Sequence, residues 1–248
     1  LKPRDRRAKI AELIDQQGQA GVDDLAETFD VSAETIRRDL SDLAEEGRIQ
    51  KIHGGAKKMR FDAEGSFQQR MSENASAKAL IGQKLAGLVR PGQTLFLDTG
   101  STTLAAVDDL AMIDDLTVVT NSMRIAREMG DRADIHLLGG SYRADNAQTV
   151  GPQTINHIGT FVADHAILTV GALDATFGAA DYNIEEAQIA RAMVAQARQV
   201  TILADSSKFT RTAPFVVCRL DRLDTLITDG TPPPALAQAL ASAGVTVL

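Results

Sequence analysis

Seven short apolar runs, separated for the most part by helical stretches, constrain this chain more than any other feature. They read TLFLD (94–98), LTVVT (116–120), DIHLLG (134–139), HAILTVG (165–171), VTILAD (200–205), DTLITD (224–229) and VTVL (245–248). Runs such as TVVT and TILAD are apolar on both faces, the pattern of parallel strands covered by helices on each side. A helix is predicted over about 76–89, ahead of the first run. Strand and helix in alternation give an α/β fold, a doubly wound sheet.

Residues 1–55 follow another period. Ile10, Leu13 and Ile14 line one face of a predicted helix over about 6–17, which Gly18 ends. Val22, Leu25, Ala26 and Phe29 do the same over 22–29. Ile36, Leu40 and Leu43 fall at i, i+4 and i+7 of a third helix, about 33–46, with Ser32 as its N-cap. Only residues 30–32 join the second and third helices, and so tight a turn holds them at a steep angle. The RIQKIHGGA that follows Gly47 reads as a short strand with a diglycine bend, a wing. Residues 57–74 are polar with little periodicity and read as a linker. The expected organisation is a winged helix-turn-helix over 1–56, a linker over 57–74 and an α/β sensor domain over 75–248.

Composition narrows the function classes. No run of about 18 apolar residues exists, so no membrane span is expected. The first residues are charged and lack the apolar stretch of a signal peptide. The single cysteine, Cys218, sits in FVVC, reads as a small buried hydrophobe and fits a reducing cytoplasm. Net charge is −7, yet residues 1–60 hold 12 Lys+Arg against 12 Asp+Glu, so the acidity lies wholly in the second part. A neutral head binds phosphates when its cations share one face.

The third helix has such a face. With Ile36, Leu40 and Leu43 inward, Glu34, Arg38 and Ser41 point away, flanked by Thr35 and Arg37. Guanidinium forks suit guanine edges and phosphates alike, and hydroxyls at a helix start suit a phosphate oxygen. An arginine pair alone would favour an ordinary three-helix bundle with a solvated pair. The whole string VSAETIRRDLSDLAEEGRIQKIHGGA (31–56) closely resembles the N-terminal signature of the DeoR family of sugar-metabolism regulators. The resemblance implies that Ser32, Thr35, Arg37 and Arg38 contact double-stranded operator DNA, and that Lys51, His53 and Gly54 sit in the wing. His53 has no partner ligands nearby for a metal, and no cofactor is expected.

In the second part the strand ends carry small polar residues, where open α/β sheets bind ligands. Asp98 closes the first strand, and Thr99, Gly100, Ser101, Thr102 and Thr103 form a hydroxyl-rich entry into a helix. Such a loop either cradles a phosphate or is a plain strand-to-helix turn. Asn121, the Gly139–Gly140 pair, Asp174 and Lys208 stand at other strand ends. Lys208 is either a phosphate-binding cation or a solvated surface residue. These strings also resemble the DeoR sensor domain, which shares its fold with ribose-5-phosphate isomerase. The resemblance implies a phosphate at 99–103, with Asn121, Asp174 and Lys208 lining the same cavity.

FGAADYNIEEA (177–187), ADSSKF (204–209) and TDGTPPP (228–234) look like the branch containing the glycerol-3-phosphate regulon repressors. That branch implies Asp181, Tyr182, Asn183 and Glu185 near the pocket, and glycerol 3-phosphate as the favoured effector among phosphorylated sugars and polyols. The alternative is a sugar-phosphate isomerase with a DNA-binding appendage. Isomerases of this fold carry a Lys-Gly-Gly-Gly-Gly segment before a catalytic Glu, and residues 171–190 contain neither a lysine nor a glycine run. An architectural DNA binder with an inert second domain has no need of polar strand ends. A homo-oligomer, dimer or tetramer, is expected because helix-turn-helix proteins read paired half-sites.

Overall fold

The structure is a computed structural model that describes residues 3–45, 49–52, 54–58 and 65–248. The chain divides into two compact units, Leu1–Gly65 and Ser66–Leu248.

The first unit runs α1 (Pro3–Gln17), β1 (Gln19–Gly21), α2 (Val22–Phe29), α3 (Ala33–Glu45), β2 (Ile49–Ile52) and β3 (Gly55–Lys58). Its core is the set that the helical period picks out: Ile10, Ile14, Leu25, Ile36, Leu40 and Leu43 are all buried, joined by Ile49 and Ala56 from the wing. Burial of each such side chain contributes roughly 1.5–3 kcal/mol. The turn between α2 and α3 closes at Asp30, which is left-handed (φ 49°), and the Val31 N–H donates to the Ala26 carbonyl at 3.1 Å. The wing has three antiparallel strands in the order β1-β3-β2. The sequence pattern shows only part of it, because β1 is three residues long and exists by pairing Ala20 with Ala56.

The second unit runs α4 (Phe67–Ser72), α5 (Ala75–Leu88), β4 (Thr94–Leu97), α6 (Ser101–Ala105), α7 (Val107–Leu110), β5 (Thr117–Thr120), α8 (Met123–Met129), β6 (Asp134–Leu137), β7 (Ser141–Arg143), β8 (Gln148–Val150), α9 (Pro152–Ile158), β9 (Ala163–Thr169), β10 (Ala172–Asp174), β11 (Gly178–Asp181), α10 (Ile184–Gln196), β12 (Ala197–Leu203), β13 (Phe215–Cys218), β14 (Thr225–Ile227), α11 (Pro234–Ser242) and β15 (Thr246–Val247). The seven predicted runs form one sheet in the order β15-β14-β12-β9-β4-β5-β6. Every neighbouring pair is parallel.

Period-2 alternation sends one set of side chains to each face. Leu95, Leu97, Val118, Ile167, Leu203 and Ile227 pack with Ile81, Leu85 and Leu110. Their neighbours Phe96, Val119, Leu168, Ile202 and Leu226 pack on the other face with Ala187, Met193 and Leu240. This is the doubly wound arrangement. A small antiparallel sheet, β10-β11-β13, and a hairpin, β7-β8, lie outside it.

The linker expected over 57–74 differs from what is observed. Lys57 and Lys58 belong to β3, and Phe67–Ser72 is helix α4 of the second unit. Phe67 is buried, with the Arg124 guanidinium 4.4 Å above its ring. A six-residue helix with one apolar anchor leaves no period to read in the sequence.

Candidate functional site

On the head, α3 turns its buried stripe inward and leaves Glu34, Arg37 and Arg38 exposed. Ser32 caps the helix: its hydroxyl accepts from the Thr35 N–H at 3.2 Å, and the two hydroxyls lie 2.9 Å apart. Arg37 pairs with Glu34 at 3.3 Å. Arg38, among the described residues, has no hydrogen bond or ion pair, so its five donors are available to a ligand. The Lys51 ammonium reaches across from β2 to donate to the Ser41 hydroxyl at 2.9 Å, which brings a wing cation beside α3. Gly54 sits in the wing turn at φ 76° and its carbonyl accepts from the Val22 N–H at 2.8 Å. His53 lies outside the described residues. Sequence reasoning missed Asp39, which is buried and held by the Arg6 guanidinium at 2.6 and 3.3 Å. That pair fixes α3 against α1, and no local pattern could show it, because its members are 33 residues apart.

In the second unit the strand order sets the place of a ligand. From β4 the chain winds to β5 and β6 on one side; from β9 it winds to β12, β14 and β15 on the other. The crevice at the carboxyl ends of β4 and β9 is therefore the switch point of the sheet. Asp98 spans it. One carboxylate oxygen accepts from the Gly100 N–H (3.0 Å) and the Thr103 hydroxyl (2.5 Å). The other accepts from the Thr169 N–H (2.6 Å) and hydroxyl (2.9 Å) at the end of β9. Desolvation pushes the Asp98 pKa up, against the pull of these four donors. Asp98 thus holds the loop, and its oxygens are already engaged. A Cβ on Gly100 would lie 1.7 Å from the Thr169 hydroxyl, so only glycine lets loop and strand approach this closely.

The loop residues Thr99, Ser101, Thr102 and Thr103 are buried. Thr99 donates to the Asn146 carbonyl at 3.3 Å, while the hydroxyls of Ser101 and Thr102 make no hydrogen bond among the described residues. Asn121, 1% exposed, donates to Gln148 (3.1 Å) and to the Thr149 carbonyl (3.0 Å), and its own side-chain oxygen has no partner. Gln148 and Asn146 each donate to Glu186 at 2.6 Å. Arg70, from α4, donates to Asn146 at 3.0 Å. One network therefore links β5, the β7-β8 hairpin, α10, α4 and the loop at 99–103.

The remaining predicted residues are placed as follows. Lys208 lies in a short 3-10 turn, Ser206–Thr210, directly after β12. The Tyr182 ring packs on Gly171 at the end of β9, where a Cβ would come within 2.6 Å of it. Asp181 accepts from the N–H groups of Tyr182 (2.6 Å) and Asn183 (3.2 Å). Asn183 in turn caps α10, accepting from the Glu185 N–H at 2.8 Å. Glu185 is held by Arg143 through two bonds of 2.9 and 2.7 Å. Asp174 organises the β10–β11 turn, accepting from the N–H groups of Thr176 and Phe177 at 2.7 and 2.9 Å. The Gly139 carbonyl accepts from the Thr154 hydroxyl at 2.8 Å, and Gly140 (φ 152°) would clash with that same hydroxyl if it carried a Cβ.

Missed in the sequence are Arg70, Lys78, Asn146 and Gln148, the first two because they precede the strand pattern. Among the described residues no three His, Cys, Asp or Glu side chains gather as a metal site, and no helix is long and apolar enough to cross a membrane.

Comparison with known proteins fits both halves of this geometry. Residues 6–60 match the model of the DeoR-like helix-turn-helix domain, and residues 73–230 match that of the DeoR C terminal sensor domain. The chain belongs to the DeoR family. It is 31% identical to the glycerol-3-phosphate regulon repressor of Escherichia coli over 97% of this chain and 96% of that one. With the glycerol-3-phosphate regulon repressor of Haemophilus influenzae it shares 35% over 92% and 89%. A solved ribose 5-phosphate isomerase A from Methanocaldococcus jannaschii aligns at a TM-score of 0.41 and 15% identity over 55% of each chain. Both of these curated relatives are named repressors, which are transcriptional regulators and not enzymes.

Proposed function

We propose that this DeoR-family regulator represses a sugar or polyol catabolic operon in the cytoplasm, and that a phosphorylated sugar or polyol releases it from DNA. The favoured effector is glycerol 3-phosphate, from the similarity to two glycerol-3-phosphate regulon repressors. The first unit reads the operator through Ser32, Thr35, Arg37 and Arg38 of α3 and Lys51 of the wing. The second unit takes the phosphate at the loop 99–103, beside Asn121 and Lys208. A homo-oligomer presents two heads to paired half-sites.

The observation that carries this reading is the loop at the switch point. Asp98 preorganises it with four donors, which leaves the hydroxyls of Ser101 and Thr102, unbonded among the described residues, for a ligand. Thermal shift with phosphorylated sugars and polyols tests it. A ligand at 100 times its dissociation constant should raise stability by about 2.7 kcal/mol. The same compound should release operator DNA in an anisotropy titration, and its unphosphorylated parent should not. No response to any phosphorylated compound would rule the reading out.

A further inference from the structure

Among the described residues one lysine is buried. Lys78, at 4% exposure, lies in the first turns of α5, and its ammonium donates to the backbone carbonyl of Arg70, in α4. An ammonium has three N–H donors, and among the described residues this one uses a single acceptor, a neutral one. One turn further along the same face, Gly82 packs on Ala106 just behind α6, the helix that the loop 99–103 opens. Lys78 therefore stands at the carboxyl edge of the sheet.

The charges that face Lys78 are those of Asp205, Lys208, Glu73 and Arg70. The Asp205 carboxylate is already engaged by the Ser207 N–H and the Asn74 amide, both at 3.0 Å. The Glu73 carboxylate is engaged too, accepting from the Gln69 amide at 2.9 Å. Burial lowers the Lys78 pKa from its usual value, against the opposing pull of Asp205 and Glu73. Among the described residues the Lys78 ammonium has no carboxylate as a hydrogen-bond partner.

The acceptor that Lys78 now uses also matters. The Arg70 carbonyl lies in the last turn of α4, where carbonyls have no partner within the helix. Six residues are too few to hold a helix by themselves. Helix α4 depends on its Ser66 cap (3.2 Å to the Gln69 N–H), on buried Phe67 and on Lys78. It packs against α6, and it is the first element after the DNA-binding unit, which ends at Gly65.

We infer that Lys78 receives the effector's phosphate and that, in turning to it, Lys78 releases the Arg70 carbonyl and loosens α4. The inference rests on the proposed phosphate effector and adds the residue and the element through which occupancy is read. A charged acceptor outcompetes a neutral carbonyl because charge-assisted hydrogen bonds are roughly twice as strong. The strand-end site and the segment leading to the head thus compete for one ammonium.

The test uses the full-length protein with glycerol 3-phosphate and inorganic phosphate as probes and glycerol as control. Calorimetry should show phosphate-dependent binding that Lys78→Met weakens roughly tenfold or more and that Lys78→Arg largely retains. Hydrogen exchange is read at the amides of residues 70–74. In the wild type these amides should exchange faster when the probe is bound; in Lys78→Met they should exchange fast with or without it. The wild-type exchange experiment stands even if the variant fails to fold, because a merely structural lysine predicts no change on binding. Wild-type affinity in Lys78→Met, or unchanged wild-type exchange with bound probe, overturns this inference and leaves the effector reading intact. A wild-type protein that binds neither probe overturns this inference and glycerol 3-phosphate as the effector.

Discussion

Arg37 and Arg38 are neighbours in the chain with different surroundings. Arg37 is tied to Glu34, while Arg38 is exposed and unpaired among the described residues. Arg38→Ala is expected to weaken operator binding by about 1–3 kcal/mol and to relax sequence preference if the side chain reads a base. If it only meets a phosphate, the loss will be nearly equal on random DNA and the salt slope will drop by about one. Unchanged affinity for both would remove α3 from the groove.

A second prediction concerns His165. It is 3% exposed, its Nδ1 has no partner, and burial lowers its pKa from 6.5 against the opposing pull of Asp164 and Asp224. The unfolded chain therefore takes up this proton at higher pH than the folded one. Its contribution to stability is present above about 6.5 and is lost as pH falls through the lower folded value. Melting temperature should decline on acidification less steeply in His165→Gln than in the wild type; parallel slopes would refute the assignment.

Single residues also show where sequence reading stops. Thr35 and Arg38 were legible because helical period alone says which way they face. Asp98 was legible as a strand end, but its work, holding Thr169 71 residues away, is a tertiary fact. Arg70 and Lys78 left no trace, since an isolated cation in a polar stretch reads as a solvated one.

Long, regular pieces were legible for a plain reason. Strands β4, β5, β9, β12 and β14 of the large sheet are apolar on both faces, because helices cover both, and that pattern survives without neighbours, whereas the edge strands β6 and β15 are largely exposed. Strands β1, β7, β8, β10, β11 and β13 were not legible. All are three or four residues long, and β1, β7, β8, β10 and β11 also carry Gly, Ala, Ser or Gln, so pairing defines these five and propensity does not; β13, the apolar FVVC, reads only as a short buried run. Helix α4 fails for the same reason.

One of these short pieces carries a prediction. Strand β1 is hooked to β3 at Gly21 and Gly55, and a Cβ on Gly55 would lie 2.3 Å from the Ala20 carbonyl oxygen. Backbone cannot yield as a flexible side chain would. Gly55→Ala is expected to part β1 from β3 and to lower the stability of the head by roughly 1–3 kcal/mol, with operator affinity falling alongside. The melting of the second unit should not move, since that unit has its own core. A calorimetric scan resolving the two transitions decides it, and an unshifted head transition would show that the wing tolerates the methyl.

The two sites belong to different units, each with a separate apolar core. A ligand shifts DNA affinity only by its own differential affinity for the two states, and the coupling is reciprocal. Direct charge effects between effector and DNA are screened beyond about 8–10 Å. A head that keeps its own core also keeps the surface of α3 when another unit is occupied. What occupancy can alter is how two heads are presented to two half-sites, whose spacing is fixed by the turn of the duplex. Loss of register then costs both heads at once. The phosphorylated effector is therefore expected to weaken binding of the full chain to a paired operator far more than binding of residues 1–65 to one half-site, which should not respond. Anisotropy titrations of both, with and without glycerol 3-phosphate, make the comparison. Equal weakening would mean that the effector acts on the head itself. Tighter operator binding with effector would make the ligand a corepressor, and the full chain would then hold its heads in register only when the strand-end site is filled.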